Sequence, residues 1–153
     1  MLIGGVAYSY WVEPRATKDI DFSVIIPEKN IPVLINRFKK AGFVTRRSDF
    51  NVLKKQHILR FWKETICFDF LIDKDEYYEI ALNRRIKKIY LNQAIWIATP
   101  EDLILQKILA GRSQDIVDVI NLINHRRAEL NLKYLTLWAR VLGVANTLKP
   151  FLE

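Results

Sequence analysis

Asp19 and Asp21 lie two positions apart in the stretch Arg15-Ala16-Thr17-Lys18-Asp19-Ile20-Asp21-Phe22-Ser23-Val24. From Lys18 to Ile26 apolar and polar residues alternate, the period-two pattern of a strand ending at Pro27, so both carboxylates share one face. Like charges held this close on a strand of otherwise apolar residues are costly unless something positive compensates. Divalent ions about 4 Å apart do so, and magnesium prefers one or two carboxylates combined with phosphate oxygens. Asp69, in Ile66-Cys67-Phe68-Asp69-Phe70-Leu71-Ile72, is a third carboxylate in an apolar strand, and it joins the pair if the two strands are neighbours. Three such carboxylates suit nucleotidyl transfer. Asp19 and Asp21 would hold the metal on a nucleotide triphosphate, and Asp69 with them would hold a second metal that lowers the pKa of the attacking hydroxyl. In-line attack on the α phosphate then releases pyrophosphate. Gly4-Gly5 at the start of a helical stretch lets the backbone approach the terminal phosphates, where N–H groups and the helix dipole favour negative charge.

The elements that must position these groups follow from periodicity and punctuation. The pattern predicts a short strand before Gly4-Gly5, a helical turn or two over Val6–Trp11, and a helix over Ile31–Ala41 stopped by Gly42. Strands are expected at Phe43–Arg46, His57–Trp62 and Thr65–Ile72, then a helix at Glu76–Arg85 and paired strands at Lys87–Leu91 and Ala94–Ala98. Thr99-Pro100-Glu101-Asp102 is a helix start, with a capping hydroxyl, proline in the first turn and acids at the positive end of the dipole. Gly111 closes that helix and Ser113 is placed to cap the next. The last segment, Lys133–Leu152, reads as one amphipathic helix.

Leu2-Ile3-Gly4-Gly5-Val6-Ala7 followed by Arg15-Ala16-Thr17-Lys18-Asp19-Ile20-Asp21-Phe22 resembles the signature of the DNA polymerase beta-like nucleotidyltransferase superfamily. More narrowly it is similar to the branch of AbiEii-type toxins, with Gly-Gly, a helical spacer, an Arg-x-Thr-x-Asp-x-Asp strand and a later strand aspartate. Pro100-Glu101-Asp102-Leu103-Ile104-Leu105-Gln106-Lys107, then Ala110-Gly111-Arg112 and Asp115-Ile116-Val117-Asp118, resembles that branch's downstream helices. The resemblance implies an α+β nucleotidyltransferase fold: a mixed sheet with helices on one face and a helical C-terminal part. One domain over residues 1–153 would comprise a catalytic part, 1–98, and C-terminal helices, 99–153. Lys107 would contact the triphosphate, Asp115 would organise the site, Arg112 would assist either, and Arg15 and Thr17 would join Gly4 and Gly5 in binding the nucleotide. The implied cofactor is Mg²⁺ or Mn²⁺. Implied partners are a nucleotide triphosphate, tRNA or another RNA as acceptor, and a cognate antitoxin or toxin protein. Members of the branch carry a helix before the Gly-Gly strand, whereas this sequence begins within that strand.

Most of these residues also have a plainer reading. An Asp-x-Asp strand can be a solvated strand end, Arg15 a structural partner of the aspartates, and Thr17 an ordinary strand residue. Lys107 can be a surface lysine with its stem along apolar surface, and Asp118 is preferred as an acid favoured by a helix start. Cys67 reads as a small buried thiol, and His57 and His125 as surface residues without ligand partners. The basic clusters Arg46-Arg47, Lys54-Lys55, Arg84-Arg85 with Lys87-Lys88, and Arg126-Arg127 either line a path for RNA or guard solvated edges. Trp62, Trp96 and Tyr90 are either base-stacking or core aromatics.

Composition sets the outer bounds. The chain has 153 residues, half of them hydrophobic, enough for one core. Its formal charge of +7 favours polyanionic partners. A single cysteine excludes an internal disulfide framework and fits a reducing, cytoplasmic setting. No apolar run reaches the roughly 20 residues of a membrane span. The leading expectation is a nucleotidyltransferase acting on an RNA 3′ end or a protein hydroxyl in a toxin-antitoxin or phage-defence system. The alternative is a catalytically silent binding module on the same fold.

Overall fold

The computed structural model describes residues 1–72, 74–90 and 92–153. Strand β1 (Leu2–Ile3) runs directly into helix α1 (Gly4–Trp11), and β2 (Asp19–Val24) follows after a loop. A single 3₁₀ turn (Glu28–Asn30) leads into α2 (Ile31–Lys40), followed by α3 (Asp49–Gln56), β3 (Ile58–Lys63) and β4 (Ile66–Ile72). Then come α4 (Glu76–Arg84), β5 (Ile86–Tyr90) and β6 (Gln93–Ile97). The chain closes with helices α5 (Pro100–Ala110), α6 (Ser113–Arg126), α7 (Leu132–Val141) and α8 (Ala145–Leu152). The six strands form one mixed sheet in the order β3-β4-β2-β1-β6-β5.

Register explains how alternation becomes a site. β2 and β4 pair in parallel with Asp21 opposite Asp69, and β3 pairs antiparallel to β4 with Arg60 opposite Asp69. Because side chains alternate across a pleated sheet, Asp19, Asp21, Asp69 and Arg60 share one face. Phe22, Phe68, Phe70, Leu59 and Phe61 take the other. There α2 brings Leu34, Ile35 and Phe38 into an apolar cluster with Leu59, Phe61 and Ile72. Phe38 stacks on Phe61 with ring centroids 4.3 Å apart. The larger cluster unites α1, α4 and the C-terminal helices through Ala7, Tyr8, Tyr77, Leu103, Leu122 and Leu135. Each fully buried side chain of this size contributes about 1.5–3 kcal/mol, so these helices are fixed relative to the sheet that carries the carboxylates.

Thr99 caps α5 as expected, its Oγ1 accepting from the Asp102 N–H at 3.2 Å, and Gly111 ends that helix in the left-handed region at φ 65°. Three expectations need correction. Phe43–Arg46 is not a strand: only Val44 pairs, with Trp62, because the Asp49 carboxylate takes the Arg46 N–H at 2.7 Å and turns the chain into α3. That helix was not anticipated. Ser113 is the first residue of α6 and caps nothing with its side chain; Arg112 occupies the cap position. Lys133–Leu152 is two helices, because Gly143 adopts φ 72° and the Val144 N–H closes back on the Ala139 carbonyl at 2.8 Å. The expected strand end at Leu91 lies outside the described residues.

Candidate active site

The site begins where β1 becomes α1. Gly4 has φ +64°, a conformation that side-chain-bearing residues rarely adopt, and a β-carbon there would lie 2.0 Å from Asp21 Oδ2. At Gly5 the corresponding atom would lie 2.9 Å from Thr17 Oγ1 and 3.5 Å from an Arg15 guanidinium nitrogen. The two glycines therefore let the helix N-terminus close onto the carboxylate strand. No side chain caps α1, so its first N–H groups remain available to an anion. Gly4→Ala is expected to push Asp21 aside and lower transfer by at least about a hundredfold, since displacements near 1 Å cost that much. Steady-state rates together with unchanged far-UV circular dichroism check it.

Asp19, Asp21 and Asp69 each offer an oxygen within 4.8 Å of the others. Asp69 is buried, while Asp19 and Asp21 are half-buried. Burial first, and then the charges of Asp19 and Asp69, push the Asp21 carboxyl up to about 6, against the opposing pull of Arg112 and Lys107. A carboxyl that holds its proton for these reasons is one that a bound cation relieves, so the donor set fits a hard divalent ion. Thr17 is an exposed loop residue preceding β2; its hydroxyl reaches the Asp19 carboxylate at 3.1 Å.

Arg60 was not singled out from sequence. It donates two hydrogen bonds to Asp69, Nε to Oδ1 at 2.7 Å and Nη2 to Oδ2 at 2.5 Å. The only advance signal was an arginine alternating with apolar residues in the neighbouring strand, and cross-strand register supplied the rest. The Cys67 thiol also donates to Oδ1 at 3.5 Å, which leaves Asp69 one lone-pair direction, on Oδ2, for another partner. Removing a partner from a buried pair leaves an uncompensated charge, so Arg60→Met should cost about 3 kcal/mol in divalent-free buffer, with Mn²⁺ restoring part of it. Urea unfolding with and without the ion measures both. Cys67, beside Asp69, is a buried thiol pushed up to about 12 by burial and then by Asp69.

Behind the carboxylates lies a buried ionic cluster built by α5 and α6. Lys107 is 5% exposed and donates to Asp115 at 3.3 Å and Asp118 at 2.5 Å. It is therefore an interior cation, not a surface lysine. Arg112 donates to both oxygens of Asp115, at 2.6 and 3.2 Å. Arg15 reaches Asp118 at 2.7 Å, so its acidic partner is neither Asp19 nor Asp21. Asp118 is fully buried and also accepts from Gln114 at 3.1 Å. The plain helix-start reading of Asp118 fails, because it sits five residues into α6 on the inward face and joins Arg15 to Lys107. The aspartate three residues after Asp115 was the signal, since that spacing places both on one helix face. For Asp115 and Asp118, burial raises the carboxyl, but the surrounding donors, Arg112 and Lys107 for Asp115, Lys107, Arg15 and Gln114 for Asp118, outweigh it and hold each below its ordinary value.

His57 and His125 are exposed, the latter against the Asn121 carbonyl at 2.8 Å. Among the described residues no helix is long and apolar enough to cross a membrane.

The solved structure of an antigenic nucleotidyltransferase-like protein from Paracoccidioides brasiliensis superposes with a TM-score of 0.56 at 16% identity, covering 99% of this chain and 82% of that one. At that identity the likeness is one of fold. No curated protein matches the sequence. The model of a family described as nucleotidyl transferase AbiEii toxin, type IV toxin-antitoxin system, matches residues 1–147. With nearly the whole chain matched and the fold shared with a nucleotidyltransferase-like protein, the chain belongs to the AbiEii nucleotidyltransferase toxin family.

Proposed function

We propose that this nucleotidyltransferase is divalent-dependent and moves a nucleoside monophosphate from a nucleotide triphosphate to the 3′ end of an RNA, tRNA being the leading candidate. The observation that carries the reading is the convergence of Asp19, Asp21 and Asp69 on one sheet face, next to an uncapped helix start built on two glycines. Asp19, Asp21 and Asp69 would hold Mg²⁺ or Mn²⁺, which when bound neutralises charge at the α phosphate and acidifies the attacking hydroxyl. Gly4 and Gly5 admit the terminal phosphates to the α1 N-terminus, where backbone N–H groups bind them. Thr17 orients the Asp19 carboxylate through its hydroxyl. Arg60 holds Asp69 with both oxygens fixed, ready to accept the acceptor's proton or a cation.

Lys107 and Arg112 lie close enough to oppose the raised proton affinity of Asp21, so they add positive potential on the side where triphosphate charge would gather. Asp115 and Asp118 keep that positive charge in place. Arg15 spans from the Gly5 turn to Asp118 and ties the phosphate-binding turn to α6.

A type IV toxin-antitoxin family also points to a cognate antitoxin as partner. The acceptor is tested by incubating the protein with each α-labelled nucleotide triphosphate, magnesium, total RNA and cell protein, then separating the fractions. Label should enter RNA in a magnesium-dependent manner. Label confined to protein removes the RNA-directed reading and favours a protein hydroxyl.

A further inference from the structure

We propose that the β3 side of the carboxylate site receives the RNA acceptor, with the Arg46 guanidinium stacked on Trp62 as the shelf for its terminal nucleotide. The proposal rests on the RNA-directed reading above and assigns it a surface.

Charge is distributed very unevenly along this chain. Residues 37–63 hold nine of its 24 Lys and Arg but only one of its 17 acids, Asp49. The remainder, with 15 basic and 16 acidic residues, is close to neutral, so the whole basic excess sits in one segment. That single acid is 6% exposed, its carboxylate occupied by the Arg46 N–H at 2.7 Å and Trp62 Nε1 at 3.2 Å. Among the described residues, Arg46, Arg47, Lys54, Lys55 and Lys63 form no ion pair, and all five are exposed. Elsewhere, four of the fifteen basic residues, Arg15, Arg84, Lys107 and Arg112, bind buried carboxylates, and three more pair with surface acids. With its one acid buried, the exposed cations Arg46, Arg47, Lys54 and Lys55 give this segment a strong attraction for a polyanion.

Topology puts the later part of the segment in the right place. Arg37, Lys39 and Lys40 end α2, which packs on the other sheet face, but the rest supplies α3 and β3, and β3 is the terminal strand beyond β4 in the sheet. The glycine turn that would take the triphosphate lies on the opposite side of Asp21, after β1. An acceptor must approach the α phosphate from the side away from the pyrophosphate, because displacement is in line. That side is Asp69, Arg60 and then Trp62. Trp62 pairs with Cys67, which pairs with Asp19, so the indole stands on the same sheet face as the triad. Its Nε1 hydrogen bond to Asp49 fixes the ring, and the Arg46 guanidinium sits 3.6 Å from the ring centroid. Arg46 is exposed, so this planar cation over Trp62 is open to solvent. A base stacks on such a plane without regard to sequence, and the neighbouring cations track the phosphates.

The test is direct binding without catalysis. Unfractionated tRNA bearing a 5′ fluorophore is titrated at several KCl concentrations with wild type, Arg46→Glu/Arg47→Glu, and the control Lys87→Glu/Lys133→Glu of equal charge change. The first double variant should bind at least about tenfold more weakly, with the salt slope reduced by about two. The control should shift by less than about twofold. Arg46→Lys should keep the salt slope while raising the Kd for RNA, a split that bulk charge alone does not give. Binding of a fluorescent triphosphate analogue, measured in parallel, should be unchanged in all four proteins. Equal losses in both double variants, or none in the first, would overturn the proposal. If wild type fails to bind the triphosphate analogue, the nucleotidyl-transfer reading fails instead, whatever the RNA titration shows.

Discussion

Asp21→Asn is expected to lower nucleotidyl transfer by roughly a thousandfold or more while making the metal-free protein more stable at neutral pH. The rate loss follows from the proposed role of Asp21 as a central ligand for divalent ions, which would supply several kcal/mol of transition-state stabilisation, at about 1.4 kcal/mol per factor of ten. The stability gain follows from linkage. The folded protein holds the Asp21 proton to about 6, well above the ordinary carboxylate value. The folded state thus binds more protons than the unfolded state between about pH 4 and 6, and this group's contribution to stability falls as pH rises through that window. Asparagine cannot ionise, so the variant should match wild type below about pH 4 and exceed it above about pH 6, by on the order of 1 kcal/mol after solvent screening. Divalent affinity of the wild type should weaken as pH falls below about 6, because the proton competes for the same oxygen. Thermal unfolding from pH 4 to 8, with and without Mn²⁺, reads all three effects.

Lys107→Met carries the largest expected effect on stability, a loss of about 3–5 kcal/mol. The lysine is almost fully buried and faces Asp115 and Asp118, themselves 2% and 0% exposed. Methionine fills the volume but leaves two interior carboxylates with only Arg112, Arg15 and Gln114 to answer them. Pairing the change with Asp118→Asn should recover part of the loss, since one unpaired charge is then removed along with its partner. Chemical denaturation of the single and double variants measures the coupling. Independent, additive losses would show that the buried cluster is not the unit described here.

How much of this was legible beforehand depended on whether the signal was local. The Asp19/Asp21 strand, the Gly4-Gly5 turn and the Thr99-to-Gly111 helix are set by alternation, backbone freedom and capping, all of which a short window contains. Asp69 was nameable as a candidate, but its convergence needed the parallel pairing of β2 with β4. Arg60 was missed for the same reason: its role exists only through antiparallel register with Asp69. Asp118 was misread because helix position alone favours an acid near a start, whereas burial against Lys107 is decided by how α5 and α6 pack. The single long C-terminal helix failed on one residue, Gly143, where left-handed geometry at φ 72° outweighed a continuous apolar stripe. The concentration of positive charge in residues 37–63 was present in the sequence throughout, yet it acquired meaning only once β3 lay beside the carboxylates.

The most direct measurement follows the two ends of the triphosphate separately. The protein is incubated with RNA and magnesium in parallel reactions containing α-labelled or γ-labelled nucleotide, beside Asp19→Asn and a reaction containing a chelator. The account predicts α label on the acceptor, γ label released as pyrophosphate, and neither event in the variant or the chelated reaction. Transfer of the γ label to the acceptor, or α transfer that persists without Asp19 or the divalent ion, would contradict it.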